Sequence, residues 1–229
     1  MEAEMSDEAR EALAAVKLGG IKKKLNEDSW SHHMEELMKM WGEKAAGLRF
    51  MHANAAGYWT GFSNNLTIIS IFITTLASTA SLVSTSIEGE NKNIVLYVVG
   101  FVGLVASLIQ SLKKFYNAEE KAAEHGAIAK QFGSFYRFMT LQLGMGRSDR
   151  MPSDQLSDWA LKEYERMQQD SLPLGPDQVN LYKKTFINSK QSFPDVCEDE
   201  FIINIYDDTK NNNVKKETQN EKQEEMIEF

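Results

Sequence analysis

Residues 65–87 read NLTIISIFITTLASTASLVSTSI, and residues 94–112 read IVLYVVGFVGLVASLIQSL. Neither stretch contains a charged side chain. A bilayer core of roughly 30 Å needs about 20 helical residues to cross it, and each stretch is of about that length. The six residues between them carry three charges and a glycine, which favour water. We therefore expect a transmembrane helical hairpin.

The rest of the chain is polar, with a net charge of −8 and 25% charged residues over 229 positions. We divide it into a polar N-terminal segment, 1–30, a two-transmembrane domain, 31–190, and an acidic tail, 191–229. From Asp195 onward the tail holds 11 acidic and 4 basic residues. Such a composition cannot bury enough apolar surface to fold alone, so we expect the tail to be disordered.

Basic residues indicate the orientation of the hairpin. Lys113 and Lys114 follow the second span, and Lys44 and Arg49 precede the first, whereas the turn carries only Lys92. Because cytoplasmic flanks are enriched in lysine and arginine, both termini should face the cytoplasm. We expect an integral membrane protein, in a membrane that the sequence does not identify.

Apolar side chains on both sides of the hairpin recur at alternating spacings of four and three residues, as in a coiled coil. This repeat predicts two long antiparallel helices, about 31–86 and about 92–143, which form a cytoplasmic stem continuous with the spans. Short C-terminal helices should pack against it, so the fold class is an all-α membrane protein. The repeat consists of Trp41, Ala45, Leu48, His52, Ala55, Trp59 and Phe62, and of Phe115, Ala118, Ala122, His125, Ala129, Phe132, Tyr136, Met139 and Leu143. Within it, the aromatic residues fill the wider layers and act as packing residues; these are Trp41, Trp59, Phe132 and Tyr136.

The order of certain residues around the hairpin resembles the SLATT two-transmembrane effector family over about residues 41–176. The resemblance implies a membrane pore or a membrane-perturbing effector, of the kind predicted in prokaryotic nucleotide-sensing conflict systems. The acidic tail is not part of the family pattern. The matching residues are Trp41, Arg49, His52, Ala53, Tyr58, Asn64, Asn65 and Leu66 before the first span, and Phe115, Ala122, His125 and Tyr136 after the second.

A stripe of hydroxyl side chains runs along one face of the first span at helical spacing. It could line a water-filled pore in an oligomer, or its members could bond to their own helix carbonyls and to neighbouring helices. Two spans cannot enclose a channel, so conduction requires a homo-oligomer. The pore-lining candidates are Thr67, Ser70, Thr74, Ser78, Ser81 and Thr85.

Other polar and small residues near the membrane have two interpretations each. Gly100, Gly103 and Ser107 form a small-residue face that favours close helix packing. Asn64 and Asn65 lie at the predicted cytoplasmic mouth of the pore, where an amide could coordinate an ion or bond across a helix interface.

His52 and His125 occupy the repeat on facing helices. They could form a pH-sensitive or metal-sensitive layer, although packed core histidines are the simpler interpretation. We assign no metal to them, because no carboxylate or cysteine is in register to complete a site.

The sequence lacks the motifs of common enzymes. It has no phosphate-binding glycine loop, no His-Glu-x-x-His, no Cys-x-x-Cys and no Gly-x-Ser-x-Gly. We therefore expect no catalysis and no cofactor. The remaining functional hypotheses are a homo-oligomeric pore or ion channel-like effector, or a structural anchor or scaffold whose stem and tail recruit partners. The expected partners are the lipid bilayer, other copies of the chain and a cytoplasmic protein that binds the tail, whereas the acidic charge argues against nucleic acid.

Overall fold

The computed structural model of the chain describes residues 7–84, 91–198 and 200. Thr85, the end of the first predicted span, most of the predicted turn and the tail beyond residue 200 lie outside the described residues. The described residues form helices, turns and irregular segments without a strand. The helices are α1 (Asp7–Ser29), α2 (His32–Ser84), α3 (Asn91–Tyr116), α4 (Ala118–Gly144), α5 (Ser153–Gln169) and α6 (Pro176–Phe186), with 3₁₀ turns at Arg147–Asp149 and Asp195–Cys197.

The longest element is α2, which runs without interruption through 53 residues from the polar stem into the apolar stretch. At 1.5 Å per residue this is a rod of about 80 Å. Both α2 and α3 are long and apolar enough to cross a membrane. The predicted continuity of stem and first span is therefore confirmed for the described residues.

The second long helix is broken, and the prediction of one unbroken helix over about 92–143 was wrong. α3 ends at Tyr116, and Asn117 adopts left-handed backbone angles, φ 45° and ψ 41°, before α4 begins. Asparagine tolerates this conformation better than most residues. Glu119 and Glu120 follow in the first turn of α4, where acidic side chains stabilise a helix N-terminus. Asn117 and the acidic pair therefore mark a new helix start, although the heptad spacing continues across it.

The stem is an antiparallel pair formed by α2 and α4. An added Cβ at Gly42 would lie 3.3 Å from Met139 Cβ, and Ser63 Oγ donates a hydrogen bond to Glu119 Oε1 at 3.1 Å. Residue numbers at successive contacts therefore rise along α2 and fall along α4, so the two helices are antiparallel. The predicted repeat lies in this interface, and its most buried members are Ala45, Leu48, His52, Ala55, Ala118, His125, Ala129, Phe132 and Met139.

Helices α5 and α6 pack against the stem, as the sequence predicted. Trp159 of α5 stacks on Phe135 of α4 with ring centroids 5.5 Å apart, and Tyr164 makes an edge contact with Phe132 at 6.1 Å. From α6, Phe186 meets Phe50 of α2 edge-on at 5.3 Å. These aromatic contacts extend the stem into one hydrophobic core.

A cluster of charged side chains, Glu35, Arg147 and Arg150, holds together the end of the stem that is far from the apolar stretches. Glu35 near the start of α2 accepts hydrogen bonds from Arg147 at 2.8 Å and 3.0 Å and from Arg150. The hydrogen bonds from Arg147, together with those from Arg150, lower the pKa of Glu35 to about 2. Asn26 donates to the carbonyl of Arg150, so the same loop also holds the end of α1.

The compact unit continues to Cys197, beyond the predicted boundary at residue 190. Pro194 and Cys197 are buried, and Cys197 Sγ lies 3.7 Å from Met51 Sδ. The approach depends on Gly47 of α2, because an added Cβ there would lie 2.5 Å from Pro194 Cγ and 2.7 Å from Tyr182 Oη. Glycine at this position lets the C-terminal segment lie directly on the α2 backbone.

Replacing Gly47 with alanine should lower the free energy of unfolding by about 1–3 kcal/mol, because the new methyl group overpacks the contact with Pro194. Gly57→Ala is the matched control, since nothing lies within 4 Å of an added Cβ at Gly57. That change should be neutral or stabilise α2 by about 0.5–1 kcal/mol. Denaturation in detergent, followed by circular dichroism, measures both. Equal stability of the two variants would contradict the proposed packing.

Candidate functional site

Two buried histidines face each other across the α2–α4 interface. His52 comes from α2 and His125 from α4, and their residues are 1% and 4% exposed. Their Nδ1 atoms lie 2.9 Å apart. The structure thus brings together the two histidines that the heptad repeat placed on facing helices.

The short distance between the two ring nitrogens limits the protons that their contact can hold. A ring nitrogen either donates a proton or accepts one, so a hydrogen bond between two Nδ1 atoms requires a proton on one of them only. Both imidazoles can be neutral in this arrangement. A second proton at the contact would place two donors against each other and break the bond.

The hydrogen-bonded pair extends to the linker between α5 and α6. Ser171 Oγ lies 2.9 Å from His52 Nε2, on the side of the ring opposite His125. Phe132 stacks on the His52 ring, with centroids 5.9 Å apart and an interplanar angle of 18°. The stem and the linker are therefore joined by one polar chain inside an apolar layer.

Burial favours the neutral form of both histidines. Desolvation, followed by repulsion from His125, lowers the pKa of His52 to about 4. Desolvation also lowers the pKa of His125, with Lys121 acting in the same direction and Glu124 opposing it. At neutral pH the layer is uncharged.

Within the described part of the chain, the histidines do not belong to a larger ligand set. Among residues 7–84 and 91–198, no group of three or more histidine, cysteine, aspartate or glutamate side chains could hold a metal ion. A tetrahedral zinc site needs three or four protein ligands. The geometry within one chain therefore fits a hydrogen-bonded pair.

A cavity of about 340 Å³ opens beside His125, between α2, α4 and the start of α6. Lys121 Nζ lies 4.5 Å from the centroid of the Trp59 ring at this cavity. The distance is typical of a cation–π contact. The cavity is lined by Ala55, Tyr58, Trp59, Lys121, His125, Leu172, Pro173, Gly175, Asp177 and Gln178.

The hydroxyl stripe lies at the edge of the contact between α2 and α3. Thr67 and Ser70 are half-buried, whereas Thr74, Ser78 and Ser81 are exposed, and Thr85 lies outside the described residues. The side of α2 with the least exposure is formed by Leu66, Ile73, Ala77 and Ala80, with Thr67 and Ser70 at its margin. The exposed part of the stripe is thus accessible to a second subunit or to solvent.

Some hydroxyl groups of the stripe bond to their own helix. Thr67 Oγ1 donates to the Ser63 carbonyl and Ser78 Oγ donates to the Thr74 carbonyl, each at 2.8 Å. Each hydroxyl oxygen keeps acceptor capacity after this bond. These two groups are compatible with either a dry or a wet environment.

The remaining candidates in and beside the apolar stretches lie on exposed or partly exposed surfaces. Asn64 and Asn65 are both exposed where α2 enters its apolar stretch. Gly100 and Ser107 are exposed, Gly103 is half-buried, and an added Cβ at either glycine would meet nothing within 4 Å. Within one chain, α3 approaches α2 through other residues, chiefly Val95, Val99, Val102, Ala106 and Ile109.

The aromatic packing candidates fall on the stem. Phe132 is fully buried, and Trp41 stacks on Tyr164 with centroids 6.1 Å apart. Trp59 and Tyr136 are half-buried. Trp59 also forms one wall of the cavity, a role that its heptad position did not indicate.

Sequence reasoning missed the residues that complete the site from outside the stem. Ser171, Asp177 and Gln178 reach the site because α5 and α6 fold back onto the stem. Each of them is at least 50 positions from Lys121 and farther still from Trp59. No local spacing links such distant positions. The break at residues 172–176, LPLGP, was the available signal, since it predicts that one helix ends and the chain can turn before the next begins.

The described residues define a class of protein: an all-helical protein with two helices long and apolar enough to cross a membrane. Comparisons of the chain with protein-family models, curated proteins and solved structures find no match. The chemistry of the site therefore rests on its own residues.

Acidification should destabilise the stem through the histidine pair. Because the pKa of His52 is lowered from 6.5 to about 4, the unfolded chain binds more protons between these values. The free energy of unfolding that depends on neutral His52 is fully present above about pH 6.5 and is lost as the pH falls towards 4. At about 1.4 kcal/mol per pKa unit, the loss is up to about 3 kcal/mol by pH 4. Unfolding followed by circular dichroism at several pH values measures it.

The variant His52→Gln removes this titration, so its stability should fall less than that of the wild type over the same pH range. His32→Gln is the control, because the side chain of His32 is 68% exposed. It should keep the pH dependence of the wild type. If His52→Gln and the wild type lose stability in parallel, the histidine pair is not the source of the acid sensitivity.

Proposed function

We propose that the protein inserts into a membrane through the apolar parts of α2 and α3. None of the residues in the most apolar stretch of α2 is buried within the chain. Phe72 and Leu82 are 65% and 74% exposed, and Phe101 of α3 is 69% exposed. Each such side chain gains about 1.5–3 kcal/mol when it leaves water, so a bilayer would stabilise this surface strongly.

The basic residues support an orientation with both termini in the cytoplasm. Lys113 and Lys114 lie in the last turn of α3, next to the stem. Lysines at this level lie on the cytoplasmic side under the positive-inside rule. The stem, the histidine pair and the cavity would then all be cytoplasmic.

In the membrane, the protein acts as a homo-oligomeric pore or ion channel-like effector. The observation that carries this proposal is the exposed hydroxyl surface of Thr74, Ser78 and Ser81 within an otherwise apolar span. Oxygen atoms that face a shared lumen can solvate ions and water, and several copies of α2 would be needed to enclose it. The resemblance to the SLATT family agrees with this function.

A structural anchor or scaffold is the second candidate. The hydrogen bond from Ser78 to the Thr74 carbonyl agrees with it, because this hydroxyl does not need water to satisfy its donor. In that case the spans only hold the stem at the membrane, and the stem and tail recruit soluble partners.

Ion flux through liposomes decides between the two candidates. The purified full chain, reconstituted in lipid as an oligomer of measured mass, should conduct ions. The double variant Thr74→Leu with Ser78→Leu should still insert and assemble, but its flux should fall about tenfold or more, because leucine dewets the lumen. Single-channel recording and dye-release measurements provide the readout.

The matched control is Thr75→Leu with Thr79→Leu, which removes two hydroxyls from a face turned by about 100° from the stripe. Both threonines are exposed, so the change in hydropathy is comparable. This control should conduct like the wild type. If liposomes that contain a stable wild-type monomer or dimer show no ion flux, the result contradicts the pore and favours the anchor.

A further inference from the structure

The cavity beside His125 lies close to the expected membrane boundary. Trp59 precedes Asn65, the first residue of the predicted span, by six residues, or about 9 Å of helix. The headgroup layer of a bilayer is about 5–7 Å deep on each side. The cavity therefore opens just beneath or within the headgroup layer of the cytoplasmic leaflet.

The lysine at the cavity lies near the end of the stem that meets the apolar stretches. Lys121 is in the first turns of α4, which directly follows α3. Its Nζ lies 4.5 Å from the centroid of the Trp59 ring. The positive charge of Lys121 is therefore within reach of a headgroup at this level.

The charged groups that line the cavity are of both signs. Lys121 contributes a positive charge and Asp177 a negative charge. His125 contributes none at neutral pH, because burial lowers its pKa. Tyr58 and Gln178 add neutral polar groups, and Trp59 adds an aromatic face.

This combination matches a ligand that carries a phosphate and an ammonium group. Lysine binds phosphate as a point charge with rotatable donors. A carboxylate together with aromatic side chains binds ammonium groups. The volume of about 340 Å³ is at the lower end of the range for small-molecule sites and suits a headgroup whose acyl chains stay in the bilayer.

We propose that this cavity binds the headgroup of a zwitterionic phospholipid, with the phosphate at Lys121 and the ammonium group at Asp177. The inference rests on the membrane insertion proposed above and does not require conduction. The groove at Lys113 and Lys114 suits a phosphate less well, because Glu119 and Glu120 also line it and Glu119 pairs with Lys113 at 2.8 Å.

Native mass spectrometry of the full chain from detergent micelles tests the site. The probes are phosphatidylethanolamine, phosphatidylglycerol, which has a phosphate without an ammonium group, and water-soluble phosphoethanolamine. Phosphatidylethanolamine should bind at one copy per chain, about tenfold more tightly than phosphatidylglycerol. Soluble phosphoethanolamine should bind more weakly than either lipid, because it lacks the anchoring acyl chains.

Two variants separate the two charges. Lys121→Gln should weaken the binding of both lipids about tenfold, whereas Asp177→Asn should weaken phosphatidylethanolamine alone, to the level of phosphatidylglycerol. Lys121→Arg keeps the charge and should retain binding, which separates loss of charge from loss of folding. Lys130→Gln and Asp158→Asn are matched controls at exposed positions away from the cavity and should bind like the wild type.

Equal binding of both lipids by the wild type and by all variants would overturn the headgroup site, even if the ion flux remained intact. If soluble phosphoethanolamine binds as tightly as phosphatidylethanolamine, the site does not select a membrane lipid, and the proposal of a lipid ligand is wrong. A chain that does not associate with vesicles at all would overturn the membrane insertion on which both proposals rest.

Discussion

The antiparallel contact between α2 and α4 supports every other part of the described chain. Small residues such as Ala45 and Ala129 let the helices approach, and the large ring of Phe132 fills the layer next to the histidines. Helices α5 and α6 make most of their contacts with this stem, which supplies the apolar surface that short helices need for stability. The polar layer at His52 and His125 is satisfied because a single proton lies between their Nδ1 atoms. Such a layer fixes the register of the two helices as well as stabilising them.

The heptad repeat was enough to predict this interface. A spacing of four and three selects one face of each helix, and the buried residues Leu48 and Met139 lie on the faces so selected. The same repeat could not reveal the break at Asn117, because the apolar spacing continues across it. The backbone angles of a single asparagine depend on tertiary packing, and only the acidic pair at residues 119–120 pointed to a new helix start.

The candidate site was only half predictable. Facing positions in the repeat place His52 opposite His125. The contact with Ser171 requires the linker between α5 and α6 to fold back onto the stem, and the cavity requires the start of α6, more than 50 positions from Lys121, to do the same. Likewise, Glu35 meets Arg147 across a separation of 112 positions. Such pairs follow from the whole fold, not from local spacing. The hydroxyl stripe remains a prediction about the oligomer, since its outer part faces away from α3 within one chain.

The two limbs of the stem differ mechanically because of Asn117. α2 is a continuous helix, so a displacement of its polar half is transmitted along its axis to its apolar half. The other limb has a joint, where one left-handed residue separates α3 from α4 and the Lys121 amide already donates to the Asn117 carbonyl at 3.0 Å. Rotation at this joint would change the tilt of α3 without unwinding α4. The two limbs thus differ, because one is a continuous helix and the other has a joint close to its apolar stretch.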